Sequence, residues 1–355
     1  ITPTEGETTM KISTQLNYAG DVKAAAEQLA GYEKAGLDMI WVAEAYGYDG
    51  VSLMGYLSAI TETVTIASGI LPIYTRTPTL TAMTAAGLDT LTDGRFVLGL
   101  GASGPQVIEG FHGVPYDAPL GRTREIVEIC RKVWAREAPL EHDGKYYTMP
   151  LPEGKGTGLG KALKIINHPR RADIPVYIAS LGPKNVALTA EIAHGWLPLF
   201  YLPERAHEVW GDDLAAGQAK RSPDLPPLDV VAGGLLAIGD GMEAIRDFAR
   251  PTAALYVGGM GAKGRNFYNA LVSRYGFEKE AAEIQDLYLA GHKKEAAAKV
   301  PDELLEATSL CGPEGYVKER LAAYREAGVT NLMVTPIGED PVALVGQLRE
   351  LADGG

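Results

Sequence analysis

Short apolar runs alternate with longer helical patterns along almost the whole chain. Residues 11–16 predict a strand, and residues 22–34, with apolar side chains at a spacing of about 3.6 and a stop at Gly36, predict the helix after it. Further strands are predicted at residues 39–42, 64–68, 96–100, 175–180, 196–198, 228–236 and 332–335. Strands that alternate with helices of this length form a parallel sheet. The pattern therefore predicts an α/β fold, a (β/α)8 TIM barrel, with an open doubly wound sheet as the alternative.

Three stretches depart from this alternation, and a polar segment precedes it. Residues 141–148 predict an excursion hairpin with Asp143-Gly144 as its turn, and residues 150–171 predict a surface loop. Residues 258–313 predict a helical insertion late in the barrel, which acts as a lid or as a dimer contact. Residues 1–9 are interpreted as a disordered extension or a tag remnant. Residues 10–355 are predicted to form a single domain.

Composition excludes several classes of function. The 355 residues carry a net charge of −12 and no basic stripe, so we expect no nucleic-acid partner. No apolar window approaches the length of a membrane span, so we expect no membrane partner and a cytoplasmic location. Cys130 and Cys311 are the only cysteines and the 6 histidines lack ligand spacing, so we predict neither a disulfide framework nor a metal site.

The residues at the strand ends are the candidates for chemistry, because the active site of a βα barrel lies at the carboxyl ends of its strands. Glu44 ends the second strand and is our candidate acid or base, with a solvated acid or a helix-cap partner as the alternative. Arg76, after the third strand, either binds substrate or pairs with Glu44 or with an acid of a helix. We assign Tyr18, Tyr74 and Trp196 to the substrate pocket.

Two glycine-rich turns enter helices. Gly99-x-Gly101-x-x-Gly104 follows the fourth strand, and residues 180–183 follow the fifth. Each turn exposes backbone N–H groups and aims a helix N-terminus at an anion, which predicts a cradle for a phosphate. The alternative is that glycine simply turns the chain there. The match to the dinucleotide fingerprint is weak, because no acid ends a following strand.

Five motifs, in order, resemble the luciferase-like flavin and deazaflavin oxidoreductases, a family of TIM barrels. They are Trp41-Val42-Ala43-Glu44-Ala45, Ala67-Ser68-Gly69-Ile70-Leu71-Pro72 with Arg76-Thr77-Pro78, the run from Leu91 to Gly101, Tyr177-Ile178-Ala179-Ser180 with Gly182-Pro183, and Ala193-His194-Gly195-Trp196. The resemblance covers nearly all of residues 10–351. Within the family, the chain looks most like the branch that uses the deazaflavin coenzyme F420, and its insertion is similar to that of an actinobacterial subgroup. This branch includes methylenetetrahydromethanopterin reductase and F420-dependent dehydrogenases.

The resemblance implies a cofactor site at the ends of strands three to five. It implies that Gly69–Ile70 is a non-prolyl cis peptide that backs the deazaflavin ring, and that the two glycine turns hold the phosphate of the cofactor. The implied cofactor-binding residues are Ser68, Gly69, Ile70, Gly101, Ala102, Ser103, Gly104, Ala179, Ser180, Leu181, Gly182 and Pro183.

The activity implied by the resemblance is hydride transfer between C5 of the deazaflavin and a small organic substrate. One position departs from the family pattern, since the related dehydrogenases carry His where this chain has Ala45. Glu44 is then a proton donor or acceptor, or only a hydrogen-bond partner of the ring.

Two other functions are open at this stage. An FMN-dependent monooxygenase on the same fold is the nearest alternative, and a long pocket rimmed by Lys184, Lys263 or Arg265 would favour F420 instead. A non-catalytic flavin- or deazaflavin-binding protein is the alternative from another class. A homodimer is expected, because twofold dimers are the commonest oligomers of soluble proteins.

Overall fold

Eight parallel strands close into a barrel in the computed structural model, which describes residues 9–17 and 20–354. The strands are β1 (Lys11–Gln15), β2 (Met39–Val42), β3 (Thr65–Ser68), β4 (Phe96–Gly101), β5 (Val176–Ala179), β6 (Gly195–Leu197), β7 (Asp229–Ala232) and β8 (Asn331–Met333). Each strand pairs with the next, and β8 closes the barrel by pairing with β1. The predicted TIM barrel is confirmed.

Helices connect the strands around the outside of the barrel. They are α1 (Val22–Glu27), α2 (Leu29–Lys34), α3 (Gly50–Ile60), α4 (Pro78–Leu91), α5 (Pro105–Ile108), α6 (Pro119–Ala135), α7 (Pro183–Ile192), α8 (Pro203–Gln218), α9 (Arg250–Ala254), α10 (Phe267–Arg274), α11 (Glu278–Leu289), α12 (Lys293–Ala298), α13 (Asp302–Ala307), α14 (Glu314–Glu326) and α15 (Pro341–Asp353). Side-chain caps set several of their starts. The Asp49 carboxylate accepts from the Ser52 amide at α3, and Thr77 accepts from the Leu80 amide at α4.

The barrel strands have two buried faces, which explains why their sequences are apolar almost throughout. Alternate residues point into the barrel, where Met39, Trp41 and Tyr177 belong to one cluster. The others, among them Ile40 and Trp196, pack in a larger core between the sheet and the helices. The side on which a strand residue lies therefore decides whether it can reach the barrel interior.

The excursion hairpin after α6 has a wider turn than the sequence indicates. His142–Asp143 pairs antiparallel with Thr148–Met149, so the loop spans residues 144–147. The prediction of a two-residue turn at Asp143-Gly144 is wrong. The physical reason is Glu125 of α6, whose buried carboxylate accepts hydrogen bonds from the amides of residues 145–147 and holds the loop open.

The strand predicted at residues 228–236 is divided in the structure. The chain leaves the barrel at Gly233-Gly234, between β7 and a separate strand, Leu235–Ile238. A Cβ on Gly234 would lie 1.8 Å from the Thr308 carbonyl oxygen, so the backbones pass each other too closely for any other residue. Single-sequence periodicity could not detect this break, because apolar residues continue on both sides of it.

The long connection between β7 and β8 contains a second, smaller parallel sheet and a group of helices. Leu235–Ile238 pairs with Leu310–Gly312 and with Thr335–Pro336. The helical part consists of a 3-10 segment (Met242–Ala249), a π-helical segment (Leu255–Gly259) and α9 to α13. The helical part thus starts at Met242, whereas the sequence predicts an insertion over residues 258–313. Near the end of that predicted insertion, Leu310–Gly312 form a strand instead of a helix.

The remaining expectations concern membrane spans, metal sites and residues that the structure does not describe. No helix within residues 9–17 and 20–354 is long and apolar enough to cross a membrane. In that same part of the chain, no group of three or more His, Cys, Asp and Glu side chains could hold a metal ion. Residues 1–8 of the predicted extension and the pocket candidate Tyr18 lie outside the described residues.

Candidate active site

The carboxyl ends of the barrel strands form one mouth, and most of the predicted site residues follow them. Glu44 comes just after β2, Gly69-Ile70 just after β3, and the two glycine turns follow β4 and β5. The ends of β2 and β3 are tied together, since the Gly69 amide donates to the Val42 carbonyl at 2.7 Å. The parallel topology therefore brings these segments to one place.

Glu44 and Arg76 form a nearly buried ion pair at this mouth. The Arg76 guanidinium donates to both oxygens of Glu44, with Nη2 at 2.9 Å from Oε2, and the Gly50 amide donates to Oε2 at 2.9 Å. Arg76 also contacts Asp49 at 2.9 Å. The hydrogen bond to Glu44 raises the pKa of Arg76, which keeps the guanidinium charged.

This pairing selects between the roles that the sequence left open. Both oxygens of Glu44 already accept hydrogen bonds from a cation or an amide, so its geometry disfavours the predicted acid or base role. Arg76 is likewise committed to the pair and not to a substrate. We interpret both side chains as positioning residues that fix the ends of β2 and β3 around the mouth.

The Gly69–Ile70 peptide bond is cis, which confirms the prediction made for it. Beside it, Ile70, Gly101 and Ala179 pack together, and we call these three residues the seat. A Cβ on Gly101 would lie 2.9 Å from Ile70 Cγ1 and 3.4 Å from Ala179 Cβ, so Ile70 packs this close to the backbone only because residue 101 lacks a side chain. Ser68, by contrast, is fully buried and exchanges hydrogen bonds with the backbone of Gly99 at 2.8 and 2.9 Å, so its side chain supports the sheet.

Trp41 lies below this seat. A Cβ on Gly69 would lie 3.2 Å from Trp41 Cβ, so the indole packs directly against the Gly69 backbone. The Trp41 side chain is 1% exposed, and its Nε1 has no hydrogen-bond partner within the described structure. A buried donor without a partner is costly in a folded protein and is a common feature of a binding site.

The turn after β5 is held by indole donors from the outer core. Trp196 Nε1 donates to the Ser180 carbonyl at 2.9 Å, and Trp210 Nε1 donates to the Leu181 carbonyl at 3.1 Å. The Ser180 hydroxyl bonds to Thr189 at 2.8 Å and is therefore used within the fold. Gly182 caps α7 with no side-chain hydrogen bond. Pro183 has no N–H and the Asn185 amide donates to the Gly182 carbonyl at 3.0 Å, so the Lys184 amide is the candidate anion-binding group of this first turn.

The turn after β4 is similar but more exposed. Ala102 is partly buried, Ser103 is exposed with a φ of 57°, and Gly104 caps the short α5 without a side-chain hydrogen bond. The two turns follow neighbouring strands, β4 and β5, as a shared phosphate cradle would require.

Trp196 does not line a substrate pocket, and that prediction is wrong. Its indole is fully buried on the helix side of β6 and packs edge-on against Tyr201 and Trp210, with ring centroids at 6.0 and 5.1 Å. Residues of β6 alternate in direction, and the neighbours of Trp196, Gly195 and Leu197, are the ones that point into the barrel.

Several aromatic residues lie around the mouth, and one of them, Tyr74, is assigned to the substrate pocket from the sequence. Tyr74, a predicted pocket residue, contacts Tyr116 with ring centroids at 5.1 Å, and its hydroxyl donates to the Asp117 carbonyl at 2.8 Å. Phe200, after β6, contacts Tyr256 and Tyr268 of the insertion at 5.8 and 6.3 Å. The residue types gave a weak signal, because aromatic residues in a helical insertion are far more often core.

The cationic rim predicted for a cofactor tail is only partly available. Lys263 pairs with Asp286 at 2.6 Å, whereas Lys184 and Arg265 are exposed. Lys184 stands in the first turn of α7, next to the turn after β5. Of the three candidates, it is the one beside the predicted phosphate cradle.

A cleft of about 520 Å³ opens at the opposite end of the barrel and carries no comparable chemistry. Its charged lining is engaged in the fold: Lys11 pairs with Asp229 at 2.9 Å, and Arg171 donates to the Phe96 carbonyl at 2.7 Å. The amino ends of barrel strands usually serve stability, so we place the candidate site at the mouth.

The sequence and the fold have clear relatives. Residues 7–331 match the model of the family described as luciferase-like monooxygenase. A Mycobacterium tuberculosis protein named "Putative coenzyme F420-dependent oxidoreductase" is 42% identical over 351 residues, which cover 98% of this chain and 99% of that protein. The 5,10-methylenetetrahydromethanopterin reductase of Archaeoglobus fulgidus is 28% identical over 325 residues, 89% of this chain and 91% of the reductase.

A solved structure agrees with the fold. The coenzyme F420-dependent tetrahydromethanopterin reductase of Methanopyrus kandleri has a TM-score of 0.77 at 24% identity, over 97% of this chain and 98% of that one. The family model and the 42% identical relative both extend over nearly the whole barrel and its insertion. This chain is therefore an enzyme that belongs to the luciferase-like monooxygenase family.

Proposed function

We propose that this enzyme binds coenzyme F420 and transfers a hydride between the deazaflavin and a small organic substrate. The observation that carries the proposal is the seat, where the partly exposed Ile70 and Ala179 pack against Gly101 next to the glycine turns after β4 and β5. Relatives named for F420 dependence support the choice of cofactor. When bound, F420 supplies the hydride at C5 of its ring system.

The residues at the mouth fit such a cofactor in shape and in polarity. A flat ring system would stack on the partly exposed Ile70 and Ala179, and Trp41 supports the Gly69 backbone beneath them. The Lys184 amide and side chain, in the first turn of α7, suit the phosphate and the anionic tail. Arg76 and Glu44 position the ends of β2 and β3 and need no change of protonation to do so.

The cofactor assignment is tested by two fluorescence titrations of the purified protein, one with F420 and one with FMN. We expect micromolar binding of F420 and binding of FMN that is at least about tenfold weaker, because the anionic F420 tail gains contacts that FMN lacks. Preference for FMN would overturn the proposal in favour of oxygen chemistry on the same barrel. Failure to bind either would argue against the seat as a ring site.

We also propose a cytoplasmic location and a homodimer. Cys130 and Cys311 are both free, which suits a reducing compartment. The packed pair α3 and α4 exposes large apolar side chains, with Leu80 at 46%, Met83 at 55% and Leu91 at 62% exposure. A second copy of the chain would cover this face, because exposed apolar residues grouped on one surface typically mark an interface.

Charge placed on the α4 face should separate the dimer. We expect Leu80→Glu/Met83→Glu to elute as a monomer with an unchanged circular dichroism spectrum, since buried like charges cannot be paired across a twofold axis. Light scattering after size exclusion measures the mass. Leu289→Glu, at a 54% exposed apolar residue of the insertion, is the matched control and should leave the dimer intact. A dimer that survives the double substitution places the interface elsewhere.

A further inference from the structure

Four aromatic rings meet above the mouth of the barrel, and we call them the aromatic arc: Tyr116, Phe200, Tyr256 and Tyr268. Tyr256 and Tyr268 contact each other edge-on with ring centroids at 4.8 Å. Phe200 meets both of them edge-on. The phenol of Tyr116 lies close enough to Tyr268 to act on it electrostatically.

Topology places the aromatic arc across the mouth. Tyr116 belongs to the segment between β4 and α6, and its hydroxyl contacts the Ser103 carbonyl at 3.4 Å. Phe200 follows β6, on the far side of β5. Tyr268, on the insertion, therefore lies between the segments that follow β4 and β6, the two strands that flank β5.

The fold holds the arc in place. The Tyr275 hydroxyl, fully buried on the insertion, donates to the Phe200 carbonyl at 2.8 Å and fixes the loop after β6. The Asn266 side chain donates to the carbonyls of Tyr256 and Val257 at 2.8 and 3.0 Å, which holds the π-helical segment that carries Tyr256. Rings fixed in this way can bind a flat ligand with little loss of side-chain freedom.

The arc is polar but uncharged. Burial raises the pKa of Tyr268, and the phenols of Tyr256 and Tyr116 raise it further. Burial also raises the pKa of Tyr116. Both phenols stay protonated and neutral around pH 7 as a result. Among the charged groups near the arc, Asp117 and Arg122 pair with each other at 3.0 Å at the Tyr74 end, and the Glu109 carboxylate accepts from the Tyr116 amide at 3.1 Å.

We propose that the aromatic arc is the substrate subsite and that it selects a planar, conjugated molecule without formal charge, such as a neutral quinone or an aryl ketone. The inference rests on the proposed function, because the substrate would lie between the arc and the deazaflavin on the seat. Stacked and edge-on rings favour flat conjugated partners. An anionic group would lose its hydration among these neutral rings and would meet the Glu109 carboxylate near Tyr116. The phenol of Tyr268 supplies a hydrogen-bond donor to a substrate carbonyl.

The test measures binding of defined probes to the F420-saturated enzyme by calorimetry. The probes are menadione, its sulfonated analogue 1,4-naphthoquinone-2-sulfonate, and the small non-aromatic enone 2-cyclohexenone. We expect menadione to bind at least about tenfold more tightly than the sulfonate, because the anion is buried without a partner. Equal or tighter binding of the sulfonate, or equal binding of cyclohexenone, overturns the inference.

Variants at Tyr268 separate stacking from hydrogen bonding. Tyr268→Leu removes both the ring and the hydroxyl and should weaken menadione binding about 25-fold, because two independent losses of about fivefold multiply. Tyr268→Phe should weaken menadione about fivefold but leave 2-methylnaphthalene, which has the same shape and no carbonyl, unchanged. Tyr316→Phe is the matched control, since that hydroxyl donates to the Glu306 carbonyl away from the mouth. If Tyr268→Phe affects both probes alike, the donor role is wrong.

F420 binding to the same variants, measured by the fluorescence of F420, distinguishes a failure of this inference from a failure of the proposed function. Tyr268 variants should bind F420 as the parent enzyme does, since the seat and the turns are untouched. A loss of F420 affinity equal to the loss for menadione would assign the arc to the cofactor and overturn the inference. If the parent enzyme binds no F420, the proposed function fails, and selective menadione binding to the free chain would still support the subsite.

Discussion

Arg76→Met is expected to lower the free energy of unfolding by about 3–5 kcal/mol, because it leaves the Glu44 carboxylate buried without its counter-charge. The side chains of the pair are only 12% and 11% exposed, so water can replace little of the lost interaction. Urea denaturation followed by circular dichroism measures the change. The matched control is Arg170→Met, which breaks an ion pair whose side chains are 51% and 80% exposed and should cost at most about 1 kcal/mol.

A second substitution tests what Glu44 does. Arg76→Met combined with Glu44→Leu removes both charges and should recover much of the stability, because no charge is then buried alone. If Glu44 only positions the strand ends, the double variant keeps measurable F420-dependent turnover of any substrate that the parent enzyme converts. If the double variant is stable but has no turnover, Glu44 acts as the acid or base. Equal unfolding free energies for Arg76→Met and Arg170→Met would contradict the buried-pair interpretation.

Gly101→Val should abolish binding of the deazaflavin, with a dissociation constant raised by about 100-fold or more, because displacement of a bound ring by about 1 Å has effects of this size. A Cβ alone would already lie 2.9 Å from Ile70 Cγ1, and the two valine methyl groups add to the clash. The seat is then filled or Ile70 is displaced. Fluorescence titration with F420 measures the loss directly.

The stability of this variant should change much less than its cofactor affinity. Overpacking typically costs about 1–3 kcal/mol, and residue 101 stands at the open end of β4. Gly87→Val, at a position of α4 where a Cβ would meet nothing within 4 Å, is the control for replacing glycine by valine. Unaltered F420 affinity in a folded Gly101→Val protein would remove the seat from the cofactor site.

The barrel could be predicted from the sequence because its strands are apolar and its helices begin and end at recognisable residues. Thr77 with Pro78 marks one helix start, and Gly36 marks one helix end, and such local signals do not depend on distant contacts. The cis bond at Gly69–Ile70 came from the family motif and not from any spacing rule. Sequence periodicity alone would not have located it.

Two of the errors share one physical cause, which is that parallel barrel strands are buried on both faces. Trp196 was assigned to the pocket although it points to the helices, and nothing in an apolar run distinguishes the two directions. The break at Gly233-Gly234 was hidden for the same reason. The partnership of Glu44 with Arg76 could be named only as an alternative, since it depends on a contact between residues 32 positions apart.

The aromatic arc could not be predicted because its rings come from distant parts of the chain. Tyr116 and Tyr268 become neighbours only when the insertion folds back over the mouth. Each tyrosine alone has the sequence context of an ordinary core residue. Their common location is a property of the tertiary structure.

The pairing of β1 with β8 has a consequence for how the chain is made. β1 leaves the ribosome before the other barrel strands, yet its partner at Asn331–Met333 is synthesised only after the whole insertion. During that interval the edges of β1 and β7 carry unpaired backbone groups, which are the usual starting points of self-association. The nascent enzyme is thus most exposed to aggregation while its insertion is being translated, and the last strand ends that exposure.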